Sequence, residues 1–236
     1  MSTHLRFSIV IPMHNEEDYI GQTLEHIKKL AYPKDSYETI VVENGSSDKS
    51  FELAKRFEGE NIRVLKNTVS GVSAAKNLGI DSLPSASDWV VFLDADTILK
   101  PAFLSELAEF LQKSASRLVV GTTSVLPLSG TWGARMWFKF YDISHRLTKT
   151  SYSIQIAKRS MFPPLRFDER LVMGEDLLMI AQARKHGKFF FFPTQTVYTS
   201  TRRFDKVGYW SLFFYWIFVA VLPPRLQKKF TYKVVR

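Results

Sequence analysis

WVVFLDADT (89–97) is the stretch of sequence that decides the fold. Its first five residues are all apolar, which is the pattern of a strand covered on both faces. Asp94 and Asp96 follow directly, with only Ala95 between them. On an extended segment, side chains two residues apart point to the same side, so the two carboxylates repel each other. Solvent at an acidic strand end could compensate this repulsion, and so could a bound divalent cation, which prefers oxygen ligands.

Strand and helix patterns alternate on both sides of this stretch. Short apolar strands are predicted at 7–12, 39–42, 62–65 and 89–93. Helices are predicted over 20–31, after a cap at Ser46 or Ser47, over 70–81, and from Pro101 onward. The alternation predicts an α/β fold with a mostly parallel, Rossmann-like sheet flanked by helices. Ligands bind such sheets beyond the carboxyl ends of the strands, where the polar clusters 14–16, 43–45 and 94–96 fall.

The second half of the chain is less regular. Strands are predicted at 118–121, 153–156 and 189–192, the last built from four phenylalanines. Apolar and aromatic residues recur at helical spacing over 132–147. A loop and a helix are predicted after residue 173, with Gly187 as the stop.

Composition narrows the possible chemistry. The 236 residues are 45% hydrophobic, so the chain can bury a substantial core. Cysteine does not occur in the sequence, which excludes disulfides, thiolate catalysis and cysteine-type zinc sites. The first residues do not have the pattern of a signal peptide, so we expect a cytoplasmic protein.

The positive charge is concentrated near the end of the sequence. The net charge is +9, and residues 200–236 contain eight basic side chains against one acidic one. Within this region GYWSLFFYWIFVAVL (208–222) carries no charge, but it is shorter than the roughly 20 residues that span a bilayer. A core helix is one reading. Aromatic residues flanked by cations favour contact with a membrane interface. A nucleic-acid partner would explain the basic tail but not the acidic strand ends, so we expect none.

Five motifs occur in a characteristic order over about residues 7–200. They are SIVIPMHNEEDYI (8–20), VVENGSSDKS (41–50), SGVSAAKNLGI (70–80), FLDADT (92–97) and RFDERLVMGEDLLMIAQARKHG (166–187). Together they resemble the family 2 glycosyltransferases. The resemblance implies a GT-A fold and an inverting transfer of a sugar from a nucleoside-diphosphate donor to an acceptor hydroxyl.

The resemblance also implies roles for individual residues. In the donor site, it assigns Pro12, His14, Asn15 and Glu16 to the first nucleotide loop, Glu43 to the base, Lys76 to the diphosphate, and Asp94, Ala95 and Asp96 to ribose and metal. Arg202 and Arg203 lie where many members carry a donor-side loop, and could bind diphosphate or lipid headgroups. Mn²⁺ or Mg²⁺ at Asp96 and Asp94 would offset charge on the leaving diphosphate.

On the acceptor side, the resemblance assigns Asp176 as the general base and Glu175 to the surroundings of the acceptor. We also expect Trp132, at the start of the aromatic helix 132–147, on the acceptor side. Read alone, Glu175 and Asp176 could simply complement a helix N-terminus, and Lys76 could be a solvated helix lysine.

The sequence departs from the family pattern at three places. Glu43-Asn44 stands where two aspartates are usual, which leaves uridine as a guess for the base. Lys76 stands where the family often has arginine, so the charge lacks a planar fork. A histidine that could serve as an extra metal ligand is missing after His186.

These features predict three regions. Residues 1–125 form the nucleotide-sugar-binding half, 126–200 the acceptor-binding and catalytic half, and 201–236 a basic aromatic tail. The expected partners are a nucleoside-diphosphate sugar, a lipid-linked or cell-surface glycan, and an anionic membrane surface on the inner face of the cell membrane. An inactive nucleotide-binding or scaffold module and a nucleotidyltransferase are the alternatives.

Overall fold

The computed structural model describes residues 4–114, 117–171, 173–220, 222 and 226. The strands are β1 (Phe7–Met13), β2 (Tyr37–Glu43), β3 (Ile62–Lys66), β4 (Trp89–Leu93), β5 (Thr97–Leu99), β6 (Leu118–Thr123), β7 (Leu126–Pro127), β8 (Ile154–Lys158), β9 (Lys188–Phe192) and β10 (Val197–Thr199). The helices are α1 (Ile20–Lys28), α2 (Ser50–Lys55), α3 (Val72–Asp81), α4 (Phe103–Lys113), α5 (Trp132–Thr148), α6 (Glu175–Ala183), α7 (Arg202–Val207) and α8 (Tyr209–Ala220).

A seven-stranded sheet forms the centre of the fold, in the order β3-β2-β1-β4-β8-β6-β9. Strands β3, β2, β1 and β4 pair in parallel, as do β6 and β9, whereas β8 runs antiparallel to both of its neighbours. The predicted α/β class and mostly parallel sheet are therefore confirmed.

Both faces of the sheet are buried, which explains the continuous apolar strands. Along β4, Val91 and Leu93 belong to one core cluster, while Val90 and Phe92 belong to the cluster on the opposite face. Alternate side chains point to opposite faces of a strand, so a strand covered by helices on both sides needs apolar residues at every position.

The predicted start of the second helix is wrong. α2 begins at Ser50 and is not capped by Ser46 or Ser47. Those two serines are instead bonded to the loop after β1: the Ser46 hydroxyl accepts from the Asn15 backbone N–H at 3.0 Å, and the Ser47 N–H donates to the Asn15 side-chain oxygen at 2.7 Å. Predicted boundaries also shift elsewhere, since α3 begins at Val72, α4 at Phe103, and α6 ends at Ala183, before Gly187.

A second, three-stranded sheet brings the later part of the chain back to the end of β4. Its order is β5-β10-β7, with β10 antiparallel to β5. Thr97 pairs with Thr199, and the Ser200 N–H donates to the Asp96 carbonyl at 3.2 Å. This register places the start of α7 beside the two aspartates at the end of β4.

α5 and α8 lie against each other on the surface, and α7 packs on the inner side of this pair. The Trp137 ring is 4.8 Å from that of Trp210 and 6.3 Å from that of Phe204, which lies in α7. α8 runs from Tyr209 to Ala220, and no helix in the described part of the chain is long and apolar enough to cross a membrane.

Gly79 of α3 packs directly against Val10 of β1, and it provides a test of the packing. A Cβ at Gly79 would overlap the Val10 side chain, which is fully buried. We expect Gly79→Ala to destabilise the protein by about 1–3 kcal/mol, although alanine favours helices over glycine by about 1 kcal/mol. Chemical denaturation measures the change.

Gly133 supplies the matched control, because it lies in α5 with nothing within 4 Å of its ideal Cβ. Gly133→Ala should be neutral or stabilising. Equal stability of the two variants would contradict the close packing of α3 on β1.

Candidate active site

Polar loops follow β1, β2 and β4 at one edge of the sheet and hold one another in place. The ring of His14 is within 2.9 Å of the Asn44 carbonyl, and the Glu16 N–H donates to the Ser50 hydroxyl at 2.7 Å. Asn15 has φ = 55°, a left-handed conformation that asparagine tolerates better than most residues. The loop after β1 is thus fixed in shape before any ligand binds.

Glu43 and Asn44 at the end of β2 stabilise the loop that follows β2 through hydrogen bonds. The Glu43 carboxylate is 2% exposed and accepts a hydrogen bond from the Ser46 backbone N–H. The Asn44 side-chain oxygen accepts from the Gly71 N–H at 3.2 Å, just before α3. These two residues therefore connect the β2 loop to its neighbours on both sides.

Arg202 joins two acids that are far apart in sequence. Its guanidinium donates to both oxygens of Glu16, at 2.5 and 2.6 Å, and lies 3.3 Å from an Asp96 oxygen. The three side chains are about 10% exposed, and the guanidinium lies 4.4 Å from the centre of the Tyr19 ring. Burial raises the pKa of Glu16, against the opposing hydrogen bond from Arg202.

Asp94 is half-buried at the end of β4, beside the more fully buried Asp96. Its pKa is raised to about 7, first by burial and then by repulsion from Asp96, while Lys76 and Arg203 act in the opposite direction. The backbone fixes the turn, because the Asp94 N–H donates to the Ser153 carbonyl and the Thr97 N–H donates to the Asp94 carbonyl, both at 3.0 Å. The Ala95 carbonyl accepts from the Thr23 hydroxyl at 2.7 Å.

Lys76 on α3 reaches across to the start of α6. Its ammonium lies 2.5 Å from an Asp176 oxygen and 3.2 Å from a Glu175 oxygen, and its side chain is 2% exposed. Burial acts to lower the pKa of Lys76, but the charges of Asp176, Glu175 and Asp94 outweigh it and raise that pKa above its ordinary value. The lysine is therefore a buried cation shared by three carboxylates.

Asp176 lies near two other carboxylates, Glu175 and Asp94, and one cation, Lys76. Its pKa is raised to about 7 by burial first and by repulsion from Glu175 second, with Lys76 opposing. Gly174 precedes α6 in a left-handed conformation, φ = 81°, and places both acids in the first turn of the helix. The positive end of the helix dipole also favours carboxylates there.

The structure gathers most of the predicted site residues into one connected region. Asp94 connects the Glu16–Asp96–Arg202 group with the Lys76–Glu175–Asp176 group. Charged side chains of both groups shift the pKa of Asp94. Pro12 is half-buried within β1, upstream of the acids. Trp132 lies elsewhere, 78% exposed at the start of α5.

Two aromatic residues belong to the site but were not predicted. Tyr19 lies under the Arg202 guanidinium, and its position three residues after Glu16 was the only available signal. Tyr152 is half-buried near both aspartates of the β4 loop: its pKa is raised well above the usual value, by burial first and by the charge of Asp96 second. Its sequence context, TSYSIQ, contains no motif.

Asp94 and Asp96 form a pair of carboxylates at the end of β4. Among the described residues, no group of three or more His, Asp, Glu or Cys side chains is placed to hold a metal ion. A divalent cation at the pair would need its other ligands from a bound molecule or from water.

The sequence profile described as glycosyl transferase family 2 matches residues 8–163. The chain belongs to this family, as the ordered motifs predicted. It is 30% identical to the glycosyltransferase AglE of Haloferax volcanii over 182 residues, which cover 75% of this chain and 57% of AglE. It is 32% identical to the minor teichoic acid biosynthesis protein GgaA of Bacillus subtilis over 108 residues, or 44% of this chain and 24% of GgaA. The chain thus spans only part of the length of the relatives it matches.

Solved structures confirm the fold. The S. aureus TarS fragment 1–349 in complex with UDP-GlcNAc superposes with a TM-score of 0.70 at 20% identity, covering 95% of this chain and 70% of that one. The mannosyltransferase PcManGT of Pyrobaculum calidifontis, in complex with GDP-Man and Mn²⁺, superposes with a TM-score of 0.65 at 17% identity, over 84% of this chain and 57% of that one. The predicted GT-A type of fold is therefore confirmed.

The ion pair at Arg202 predicts a pH-dependent stability. Arg202→Met leaves Glu16 and Asp96 buried without their cation, and breaking such a pair costs about 3–5 kcal/mol. The free energy of unfolding should fall at pH 8. Because the pKa of Glu16 lies above its unfolded value and rises further without Arg202, the loss should shrink as pH falls and the carboxylate takes up a proton.

Arg170→Met is the control, because Arg170 pairs with Asp168 at the surface and is 81% exposed. It should cost at most about 1 kcal/mol. Chemical denaturation in EDTA at several pH values separates the two cases. A cost at Arg202 that stays constant with pH would contradict the buried ion pair.

Proposed function

We propose that this protein transfers a sugar, with inversion, from a nucleoside-diphosphate donor to a hydroxyl group of a glycan acceptor. One observation carries the proposal. The Lys76 ammonium contacts Asp176 at 2.5 Å, and its charge also acts on Asp94. This contact supports a general base at Asp176 close to the paired aspartates of the donor side, as a displacement at a sugar carbon requires.

Asp176 acts as the base that removes the proton from the acceptor hydroxyl. An acid with a pKa of about 7 is largely ionised just above neutral pH and is still basic enough to accept a proton. Lys76 fixes the orientation of the carboxylate by direct contact. Inversion follows if the acceptor attacks from the face opposite the leaving diphosphate.

The β4 loop fits a divalent cation, Mn²⁺ or Mg²⁺, held by Asp94 and Asp96. The observation that supports this fit is a pair of carboxylates one residue apart at the end of β4. Burial first, and then repulsion from Asp96, raise the pKa of Asp94 to about 7. Donor phosphates and water would supply the remaining ligands. When bound, the cation would offset the charge that develops on the departing diphosphate. The Mn²⁺ in the PcManGT complex supports this assignment.

Arg202 contributes differently from the cation. Its guanidinium already lies 3.3 Å from Asp96, at the edge where the diphosphate would enter. Arginine binds phosphate through two parallel hydrogen bonds, so Arg202 and Arg203 are suited to hold the diphosphate once it arrives. The Tyr19 ring keeps the guanidinium plane in place.

We propose a UDP-sugar as the donor, because TarS has been crystallised with UDP-GlcNAc and with UDP. TarS is named a poly(ribitol-phosphate) β-N-acetylglucosaminyltransferase, and GgaA is named for minor teichoic acid biosynthesis. These relatives favour an anionic cell-surface polymer or its lipid-linked precursor as the acceptor. Such an acceptor would place the enzyme at the inner face of the cell membrane.

A thermal-shift panel of UDP-, GDP-, CDP- and dTDP-sugars, each with and without Mn²⁺, tests the donor site. A ligand that binds only the native state raises its apparent stability. We expect a metal-dependent rise for one base. Asp96→Asn should abolish the rise, whereas Asp176→Asn should keep it and lower the transfer rate by about 10²–10⁴-fold.

The variants separate the alternatives. Binding with no transfer, unchanged by Asp176→Asn, would indicate an inactive nucleotide-binding module. Nucleotidyl transfer in place of sugar transfer, detected as pyrophosphate release from nucleoside triphosphates, would indicate a nucleotidyltransferase.

The charges beside Asp176 predict opposite shifts of the pH profile when Glu175 or Lys76 is replaced. Transfer should decline as pH falls through about 7, where Asp176 takes up a proton. Glu175→Gln removes a repelling charge, which lowers the pKa of Asp176 and moves the decline to lower pH. Lys76→Met removes the attracting charge and moves it to higher pH. The dependence of kcat/KM on pH measures both shifts.

Glu109→Gln on α4 is the control, since Glu109 is an exposed acid that pairs with the exposed Lys113. Its pH profile should match that of the original protein. Shifts in the same direction for Glu175→Gln and Lys76→Met would refute the assignment of the decline to Asp176.

A further inference from the structure

α5 presents an apolar stripe to solvent. The stripe consists of Trp132, Met136, Phe140, Ile143 and Leu147, which are between 41% and 78% exposed. Their spacing of four, four, three and four residues places them on one side of the helix. The opposite side of α5, which includes Trp137, Phe138 and Tyr141, is buried in the core. The outward stripe is therefore additional to the residues that hold α5 on the protein.

α8 continues this apolar surface. Trp210, Phe214 and Phe218 recur every four residues and are 59%, 62% and 50% exposed. The Phe140 ring lies 6.3 Å from that of Trp210, and the Trp210 ring stacks at 6.2 Å on that of Phe214. The stripe of α5 and these three residues of α8 form one continuous surface, which we call the aromatic face.

A row of cations borders the aromatic face. Arg135, Lys139 and Arg146 are exposed and follow one another at four and seven residues, so they share one side of α5. With a turn of about 100° per residue, this side adjoins the apolar stripe on the edge away from α8. Helices that lie in a membrane interface combine these features, an apolar aromatic side and a flanking row of Lys and Arg.

We propose that the aromatic face docks on a bilayer that contains anionic lipid. Tryptophan and phenylalanine enter the headgroup boundary, and the basic row contacts anionic headgroups. The alternative occupant, a second copy of this chain, is disfavoured by charge. The chain has a net charge of +9, and pairing two aromatic faces would bring two basic rows together.

The aromatic face lies one helix away from the candidate active site. The ring of Trp137 contacts both Trp210 of the face and Phe204 of α7, and α7 also carries Arg202 to Glu16 and Asp96. A bilayer on this face would hold a lipid-linked acceptor near the site. This link rests on the proposed function, whereas docking itself does not.

Co-sedimentation of the full chain with vesicles tests the proposal without any need for activity. Phosphatidylcholine vesicles are compared with vesicles of phosphatidylcholine mixed with phosphatidylglycerol. We expect tighter binding to the anionic vesicles, weakened by added salt.

Trp132→Ser/Ile143→Ser/Leu147→Ser should weaken binding by at least about tenfold, because three large apolar side chains no longer leave water. Lys139→Gln/Arg146→Gln should weaken binding to the anionic vesicles only.

Two controls match these variants. Arg184→Gln/Lys185→Gln removes the same number of exposed cations beyond the end of α6, and Val69→Ser removes an exposed apolar side chain elsewhere. Both should bind as the original protein does. Thermal unfolding and the nucleotide-induced shift check that every variant is folded.

Three results would overturn the proposal. The first is an original chain that stays in the supernatant with both kinds of vesicle. The second is a triple serine variant that binds as tightly as the original, which would assign binding to the basic tail. The third is a dimer in sedimentation equilibrium that the triple variant converts to monomers, with no vesicle binding, which would make the aromatic face a contact between copies. Loss of transfer with intact vesicle binding would count against the proposed function alone.

Discussion

The candidate site depends on one buried ammonium group. Lys76 comes from the helix after β3, whereas Glu175 and Asp176 come from the second half of the chain, about a hundred residues later. An acid pair at a buried helix start would be costly to ionise without a cation of its own. Lysine supplies that cation as a single charged point, which can approach two carboxylates without the planar geometry of arginine. The two halves of the chain therefore meet through an electrostatic contact as well as through the sheet.

The rest of the site follows from a surplus of negative charge. Five carboxylates, those of Glu16, Asp94, Asp96, Glu175 and Asp176, lie close to three cations, Lys76, Arg202 and Arg203. A nucleoside diphosphate adds more negative charge, so it cannot enter this region favourably alone. A divalent cation that arrived with the phosphates would offset the charge that the diphosphate adds, and it would also relieve the repulsion between Asp94 and Asp96. We therefore expect donor and metal to bind together, because the side chains of the site already carry a surplus of negative charge.

Part of this arrangement was predictable from sequence and part was not. The apolar run at 89–93 predicted a strand covered on both faces, and the ordered motifs predicted which acids would meet at the sheet edge. The contact between Glu16 and Arg202 spans 186 residues and depends on the pairing of β10 with β5, two three-residue strands without a distinctive pattern. Helical spacing predicted α5, but both of its sides carry large apolar residues. Periodicity cannot tell which of two apolar sides faces the core when tertiary packing makes that choice.

α7 connects the chemistry of the site to the surface of the molecule. Within six residues it carries Arg202, bound to Glu16 and Asp96, and Phe204, which is 1% exposed and stacks at 5.1 Å on Tyr209. Tyr209 begins α8, so the aromatic face and the donor-side arginine share one short, continuous stretch of backbone. Interiors are close-packed and transmit displacement rather than absorb it. A bilayer that fixes α8 would therefore also fix the position of Arg202. α7 would then link the position of the arginine that binds the diphosphate to the position of the membrane.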